Sequence, residues 1–260
     1  MTGERCRRAT DQAGRSWVLL SDFDSVRVSN DLGLRSSSAA GREVRFVVTD
    51  QSDPHREHFP PGFFSRQDES SDALFYGPPR LLTHIDSGAI AAVGALYREL
   101  GVTGEFLDLM GSWISHFAVA PAQLTVQGMN QAELDANPMA TATVVHDLNV
   151  DPTLPFADGS FDDVVCCVSV DYLVRPLDVF AEVARLLRPD GRFVCTFSNR
   201  LFPTKAVRGW LAADEAGRTQ IVHRYFDLTD GFGEATIDVR VPPGLGGDPL
   251  YAVWATRTQT

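Results

Sequence analysis

From residue 86 onward, apolar positions alternate between a helical and an extended period. Over Asp86–Leu100, Ile90, Val93, Leu96, Tyr97 and Leu100 recur at three- and four-residue steps and predict an amphipathic helix. Asp86 or Ser87 caps its start and Gly101 ends it. The period then changes. Glu105–Met110 is an apolar run interrupted near its end by Asp108 and followed by small residues, the pattern of a buried strand whose carboxyl end opens a ligand crevice. Further strands are predicted over Gln123–Gly128, Thr141–Val145, Phe161–Val168 and Arg192–Phe197, with Phe161–Val168 apolar enough to be buried on both faces. Helices are predicted over Asn130–Asn137, from Pro176 through Leu187, and over Thr204–Ala216. Between the first two strands, Ser112–Ala120 leaves room for a crossover helix of fewer than three turns. Ala235–Val241 and Leu250–Thr256 close the chain as two strands. This rhythm predicts an α/β fold, a Rossmann-like doubly wound sheet, mostly parallel with an antiparallel C-terminal edge strand.

The start of the chain follows no such rhythm. Residues 1–50 form an N-terminal extension, either a small β unit or a partly disordered tail. Trp17–Phe23, Val26–Val28 and Glu43–Thr49 are its candidate strands, and Ser36–Gly41 reads as a flexible link. Residues 51–260 form the main domain. Within it, residues 51–85 set aromatic and basic residues among Pro and Gly, which predicts a loop covering something, anchored by Phe63, Phe64 and Phe75. His55 and His58 have a spacing metals use, but no Cys or carboxylate set completes a site, so no metal is expected.

Composition narrows the class. The 260 residues are 44% apolar and 22% charged, ordinary for a globular protein. A net charge of −11 argues against a phosphate-backbone partner, so nucleic acid is not expected. No apolar run approaches the ~20 residues of a membrane span, and Trp17–Leu20 is too short for a signal peptide. Cys6, Cys166, Cys167 and Cys195 lack Cys-x-x-Cys spacing, and three of them lie in apolar strands, so a cytoplasmic protein with reduced thiols is expected. The oligomeric state is left open.

Several stretches together resemble the class I S-adenosylmethionine-dependent methyltransferases. They are Phe106-Leu107-Asp108-Leu109, Val126-x-Gly128-Met129-Asn130, Leu154 to Val165, and Tyr172 to Pro176 leading a helix that ends Glu182 to Gly191. Phe63–Asp86, the Met110–His116 loop, and Phe197–Arg200 with Phe202–Ala206 resemble a poorly characterised branch of the same proteins. The resemblance implies S-adenosyl-L-methionine as cofactor and a small molecule as methyl acceptor.

It also implies a site. Asp108 would face the amino group of the cofactor, or else cap the short helix that follows. The glycine loop of related enzymes is altered: its positions hold Met110, Ser112 and Ile114, and only Gly111 is a glycine. Asn130 stands where a ribose-binding acid usually does, and is equally a helix cap. Asp147 and Leu148 match the adenine position, with Met129 as the opposite wall. Ser169, Asp171 and Tyr172 follow the fourth strand, where cofactor and acceptor would meet. Asp171 is a candidate general base, though alone it reads as a surface turn, and Tyr172 is a candidate positioning group. Arg200 follows the fifth strand, where it would hold an anionic group. Arg80 and His84 would reach the methionine carboxylate or a substrate acid, or else be solvated.

Methyl transfer needs alignment more than acid–base machinery, so the lack of a catalytic triad is no objection. Hydrolase, Walker-loop and zinc-protease motifs are absent. Two alternatives stay open: a non-catalytic binding module with a degenerate methyltransferase fold, and a nicotinamide dehydrogenase, which lacks its Gly-x-Gly-x-x-Gly.

Overall fold

The computed structural model describes residues 7–10, 16–19, 57–101, 104–244 and 246–258. Two compact units divide the chain, Met1–Thr49 and Asp50–Thr260. In the first, β1 (Arg7–Thr10) and β2 (Ser16–Leu19) pair as an antiparallel hairpin. Thus the candidate strand at Trp17–Phe23 is seen in part, while Val26–Val28, Glu43–Thr49, Cys6 and His55 lie outside the described residues.

The second unit holds a seven-stranded sheet. Its strands are β3 (Glu105–Asp108), β4 (Gln123–Gly128), β5 (Ala142–Val145), β6 (Phe161–Cys167), β7 (Leu187–Phe197), β8 (Thr236–Val241) and β9 (Leu250–Thr256). The order across the sheet is β5-β4-β3-β6-β7-β9-β8. Neighbours from β5 to β7 pair in parallel, and β9 runs antiparallel to both β7 and β8. The antiparallel strand is therefore one in from the margin, with β8 outermost. The order reverses between β3 and β6, which puts the loops after these two strands at the switch point where open sheets hold ligands.

Side chains alternate across the strands, and two cores result. Leu107, Val164, Cys166, Phe193 and Cys195 point to one face, under α4 (Pro176–Leu186) and α6 (Glu215–Asp227). Phe106, Leu124, Val126, Val165 and Val194 point to the other, under α2 (Ser87–Glu99) and α3 (Gln131–Asp135). Local chemistry sets the helix ends as expected: Asp86 Oδ1 accepts from the Ala89 amide, Asn130 Oδ1 from the Glu133 amide, and Pro176 opens α4. Gly101 follows α2 at φ +67°, a conformation that favours glycine.

The structure departs from the expected pattern at four places. The β3–β4 crossover contains no helix; residues 109–122 are turn and irregular chain, pinned by Leu109 N to Val165 O and Gly111 N to Gln127 O. The predicted helix over Thr204–Ala216 is instead a turn followed by α5 (Arg208–Ala212), because Val207 and Ala213 are extended. The thirteen-residue α6 departs from the expected pattern, because its buried positions Thr219, Val222, Tyr225 and Phe226 are interspersed with polar and charged residues; Asp214 caps it through the Gly217 amide. The strand predicted over Arg192–Phe197 begins earlier, at Leu187, so that Pro189-Asp190-Gly191 lies inside β7, accommodated by a register shift against β6 and by Asp190 at φ +67°.

Residues 57–80, with the short helix α1 (Asp72–Tyr76), pack on this unit at two aromatic centres. Phe59, Phe63 and Phe64 contact one another, and Phe59 and Phe64 reach Tyr225. Phe75 packs edge-on against Phe202 at 5.2 Å. Beside them is a buried ion cluster. Arg66 Nη1 lies 2.8 Å from both oxygens of Asp72, while Lys205 Nζ is 3.1 Å from Asp72 and from Asp68. Four charges cancel in pairs, which is what permits their burial.

Candidate functional site

A cavity of about 260 Å³ opens at the carboxyl ends of β3, β4, β5, β6 and β7. Its volume is a little below the ~300–1,000 Å³ usual for ligand pockets. Among the candidates read from the sequence, Asp108, Met110, Gly111, Ser112, Met129, Asn130, Asp147, Leu148, Ser169, Tyr172, Arg200 and Arg80 all line it, together with Ile114. Asp171 does not. Its carboxylate is buried among core side chains, with Oδ2 lacking a hydrogen-bond partner, so it is no surface turn. Burial raises its pKa to about 8.

The loop after β3 sets a non-glycine residue in a conformation that favours glycine and keeps one glycine beside it. Met110 takes φ +56°, a left-handed conformation that disfavours a side chain by roughly 1 kcal/mol. Gly111 is needed for closeness: a Cβ there would lie 2.7 Å from Val126 Cγ1 and 2.9 Å from the Asp108 carboxylate. Gln127, which sequence reasoning missed, holds the turn. Its Oε1 accepts from the Met110 amide and its Nε2 donates to His146 O. Its signal in the sequence was an amide side chain at the carboxyl end of a mostly buried strand.

With no helix behind β3, Asp108 is not a cap. It is buried and accepts one hydrogen bond, 2.5 Å from Ser115 Oγ, with no cation paired to it among the described residues. Burial raises its pKa to about 7, and the Ser115 bond only partly offsets this. The folded state therefore holds a proton that the unfolded chain releases near pH 4, so this group lowers stability progressively as pH rises from about 4 through about 7. Asp108→Asn removes that loss. Thermal unfolding should show the variant more stable than wild type at pH 8, by on the order of 2 kcal/mol, and nearly equal to it at pH 4. An equal effect at both pH values would contradict the assignment.

Asn130 is engaged on every side. Its Nδ2 donates to Tyr76 O at 2.9 Å and Gly77 O at 2.7 Å, and its Oδ1 caps α3. The side chain expected at the ribose position is the fastening point of residues 76–77. Glu133 joins the same tie: Oε1 accepts from the Arg80 amide and Oε2 from Ser112 Oγ. Its signal was the Asn130-x-x-Glu133 spacing, ordinarily a capping box; here Glu133 turns outward to the loop instead.

Asp147 is half-buried; Oδ1 accepts from the Asn149 amide, and Oδ2 has no hydrogen bond among the described residues. Leu148 is buried beside it. Ser169 Oγ donates to Cys167 O and Met110 O, joining the loops after β6 and β3. Tyr172 is buried, and its hydroxyl accepts from the Phe202 amide at 2.8 Å. Arg200 is largely exposed at the mouth and pairs with Asp248 at 2.8 Å. Arg80 is not a solvated group: its guanidinium lies 4.6 Å from the Phe75 ring centroid and donates to Phe75 O and Pro78 O. His84 is exposed and packs edge-on against Phe202 at 5.2 Å. His116 also lines the cavity, its Nδ1 buried and unpartnered, and burial lowers its pKa to about 4. No metal-binding cluster and no helix able to cross a membrane occur among the described residues. Cys166, Cys167 and Cys195 are free thiols.

Residues 100–195 match a family model described as a methyltransferase domain. No curated protein sequence matches the chain. Among solved structures, an S-adenosylmethionine-dependent methyltransferase from Mesorhizobium loti is 16% identical, covering 64% of this chain and 98% of its own, with a TM-score of 0.45. A possible histamine N-methyltransferase from Thermotoga maritima is 13% identical, covering 66% and 91%, with a TM-score of 0.47. A geranyl diphosphate C-methyltransferase from Streptomyces coelicolor is 12% identical, covering 65% and 77%, with a TM-score of 0.44. With the strand order β5-β4-β3-β6-β7-β9-β8 and the methyltransferase model spanning residues 100–195, the chain has the fold of the class I methyltransferase superfamily.

Proposed function

We propose that the protein is an S-adenosylmethionine-dependent methyltransferase acting on a small molecule, with residues 57–80 as the cover of its site. The observation that supports this most is the convergence of Asp108, Asp147 and the Met110–Ser112 backbone on one cavity at the switch point of the sheet. When bound, the cofactor supplies a methyl group on a cationic sulfur. The donor set suits it: Asp108 is a buried carboxylate without a counterion, and Asp147 keeps one oxygen free for an exocyclic amine. Leu148 and Met129 offer apolar walls, and the Met110–Ser112 main chain runs along the cavity. Arg80 is available for a carboxylate, since two of its five N–H groups suffice for Phe75 O and Pro78 O. In a tight cavity, release of Tyr76 and Gly77 from Asn130 makes room and frees the amide for a hydroxyl.

Catalysis by this chain is then positional. Tyr172 fixes Phe202, Ser169 ties the β6 loop to the β3 loop, and the cover excludes water. Calorimetric titration with S-adenosylhomocysteine tests the reading. Micromolar binding is expected, weakened about tenfold or more in Asp147→Ala. Absence of heat with both S-adenosylmethionine and S-adenosylhomocysteine would favour the second reading, a binding module of degenerate methyltransferase fold. The observation on its side is that Met110, Ser112 and Ile114 replace the loop glycines while Asn130 already serves the cover.

A further inference from the structure

We propose that the half of the cavity at the ends of β6 and β7 binds a phenol-class acceptor, an uncharged aromatic ring carrying an ionisable hydroxyl, with His84 as proton acceptor. The methyltransferase reading is needed only for what becomes of the hydroxyl; ring binding and proton transfer stand on the geometry of this half.

Phe202, in the loop after β7, is the centre. Around its ring stand Phe75 and His84 at 5.2 Å, Tyr172 at 5.9 Å and Tyr76 at 6.5 Å. These side chains come from three separate segments, and Tyr76, His84, Tyr172 and Phe202 line the cavity with Trp113. Phe202 and Tyr76 are only half-buried. Rings set edge-on or tilted to one another and left accessible on a cavity wall suit a further planar ring, which gains offset or edge contacts beyond its burial. Leu82, which also lines the cavity and is 66% exposed, makes the rim apolar.

Charge decides against an amine. The cation position over these rings is already taken by Arg80, 4.6 Å from the Phe75 centroid and 5.8 Å from that of Phe202. The nearby carboxylates are engaged: Asp72 by Arg66 and Lys205, and Glu133 by the Arg80 amide and Ser112. No acid on this half is left to hold a substrate cation.

His84 supplies the remaining function. Its ring nitrogens make no hydrogen bond among the described residues, although the ring is fixed against Phe202. Packing lowers its pKa, Glu133 opposes this and Arg80 adds to it, so the imidazole is neutral at neutral pH and able to accept a proton. His116, whose pKa burial and the nearby His84 charge lower to about 4, is the weaker base. In the transfer the phenol O–H bond breaks, an N–H bond forms on imidazole, and the electron pair remains on oxygen; nothing is oxidised or reduced. The proton leaves from imidazolium to solvent at the mouth.

The test uses 4-nitrophenol, whose phenolate is coloured, with the unmodified protein slightly below neutral pH. Saturable binding is expected by equilibrium dialysis, with the bound probe more ionised than the free probe by visible absorbance. His84→Gln should abolish the extra ionisation while changing affinity no more than about threefold, and Phe202→Ala should weaken binding about tenfold. Circular dichroism checks that Phe202→Ala is folded; should it not be, Phe202→Leu replaces it with the same expected direction. Absence of saturable binding, equal affinity in the folded Phe202 variant, unchanged ionisation in His84→Gln, or equally tight binding of tetramethylammonium would each overturn the proposal. S-adenosylhomocysteine titration of the same samples separates the two readings. Binding of nitrophenol without the nucleoside ligand upholds this ring site and rejects the methyltransferase; the converse rejects the ring site alone.

Discussion

Lys205→Met should destabilise the protein by about 3 kcal/mol, and residues 57–80 should be the first part to loosen. Lys205 is wholly buried, and its ammonium donates to Ser70 O at 2.7 Å while lying 3.1 Å from Asp68 and Asp72. Methionine fills much of the volume but leaves the Ser70 carbonyl and the Asp68 and Asp72 carboxylates each short of a partner, Asp72 keeping only Arg66 and Asn149. The loss is large because charge is removed from one side only; replacing a whole buried pair by apolar groups is often tolerated. Urea unfolding gives the stability, and limited proteolysis between residues 57 and 80 the local effect. The pH dependence carries a sign as well. Burial pushes the Asp72 pKa up, but hydrogen bonds from Arg66, Asn149 and Lys205 outweigh it, so the folded pKa is depressed. This stabilisation is present above the unfolded carboxylate pKa near 4 and is lost as pH falls through the folded value. The variant should therefore lose less of its stability on acidification than wild type. A change below 1 kcal/mol at neutral pH would mean that the cluster contributes no net stability.

Gly128→Ala should reduce stability by about 1–3 kcal/mol and remove ligand binding at the cavity altogether. A Cβ at this position would stand 2.3 Å from Gly111 O and 3.1 Å from Leu134 Cδ2. The first of these is main chain and cannot rotate away, so the loop after β3 must move. That loop is joined to β4 through Gly111 N to Gln127 O at 2.7 Å and Met110 N to Gln127 Oε1 at 2.9 Å. A displacement of a few tenths of an ångström there reorients Asp108, Met110 and Ser112 together. S-adenosylhomocysteine calorimetry on folded Gly128→Ala reads the binding, and thermal unfolding the stability. Retained micromolar binding would show that the β3–β4 contact does not shape the site.

The periodic segments were legible because their causes are local. Alternating apolar positions in β3, β4, β6 and β7 specify two buried faces, and Asp86, Asn130 and Pro176 mark helix starts by hydrogen bonding or by fixed φ, whatever the rest of the chain does. The grouping of Asp108, Asn130 and Asp147 at one end of the sheet also follows, since the carboxyl ends of parallel strands must lie together. Tertiary structure alone decided how those groups are used. Whether Asp108 caps a helix or stands as an isolated acid depends on the course of residues 109–122, held by bonds to Val165 and Gln127 from other strands. Whether Asn130 is free depends on Tyr76 and Gly77, more than fifty residues earlier. Asp171 is buried beside the start of α5, where the Val207 amide donates to its carbonyl, and near Arg218 and Tyr225 of α6, a helix polar enough to conceal its stripe from a reading of periodicity. Lys205 and Asp72 look like surface charges until the fold places them opposite each other. Long-range pairing leaves no trace in a single sequence, because the energy that fixes it exists only once both partners are desolvated together.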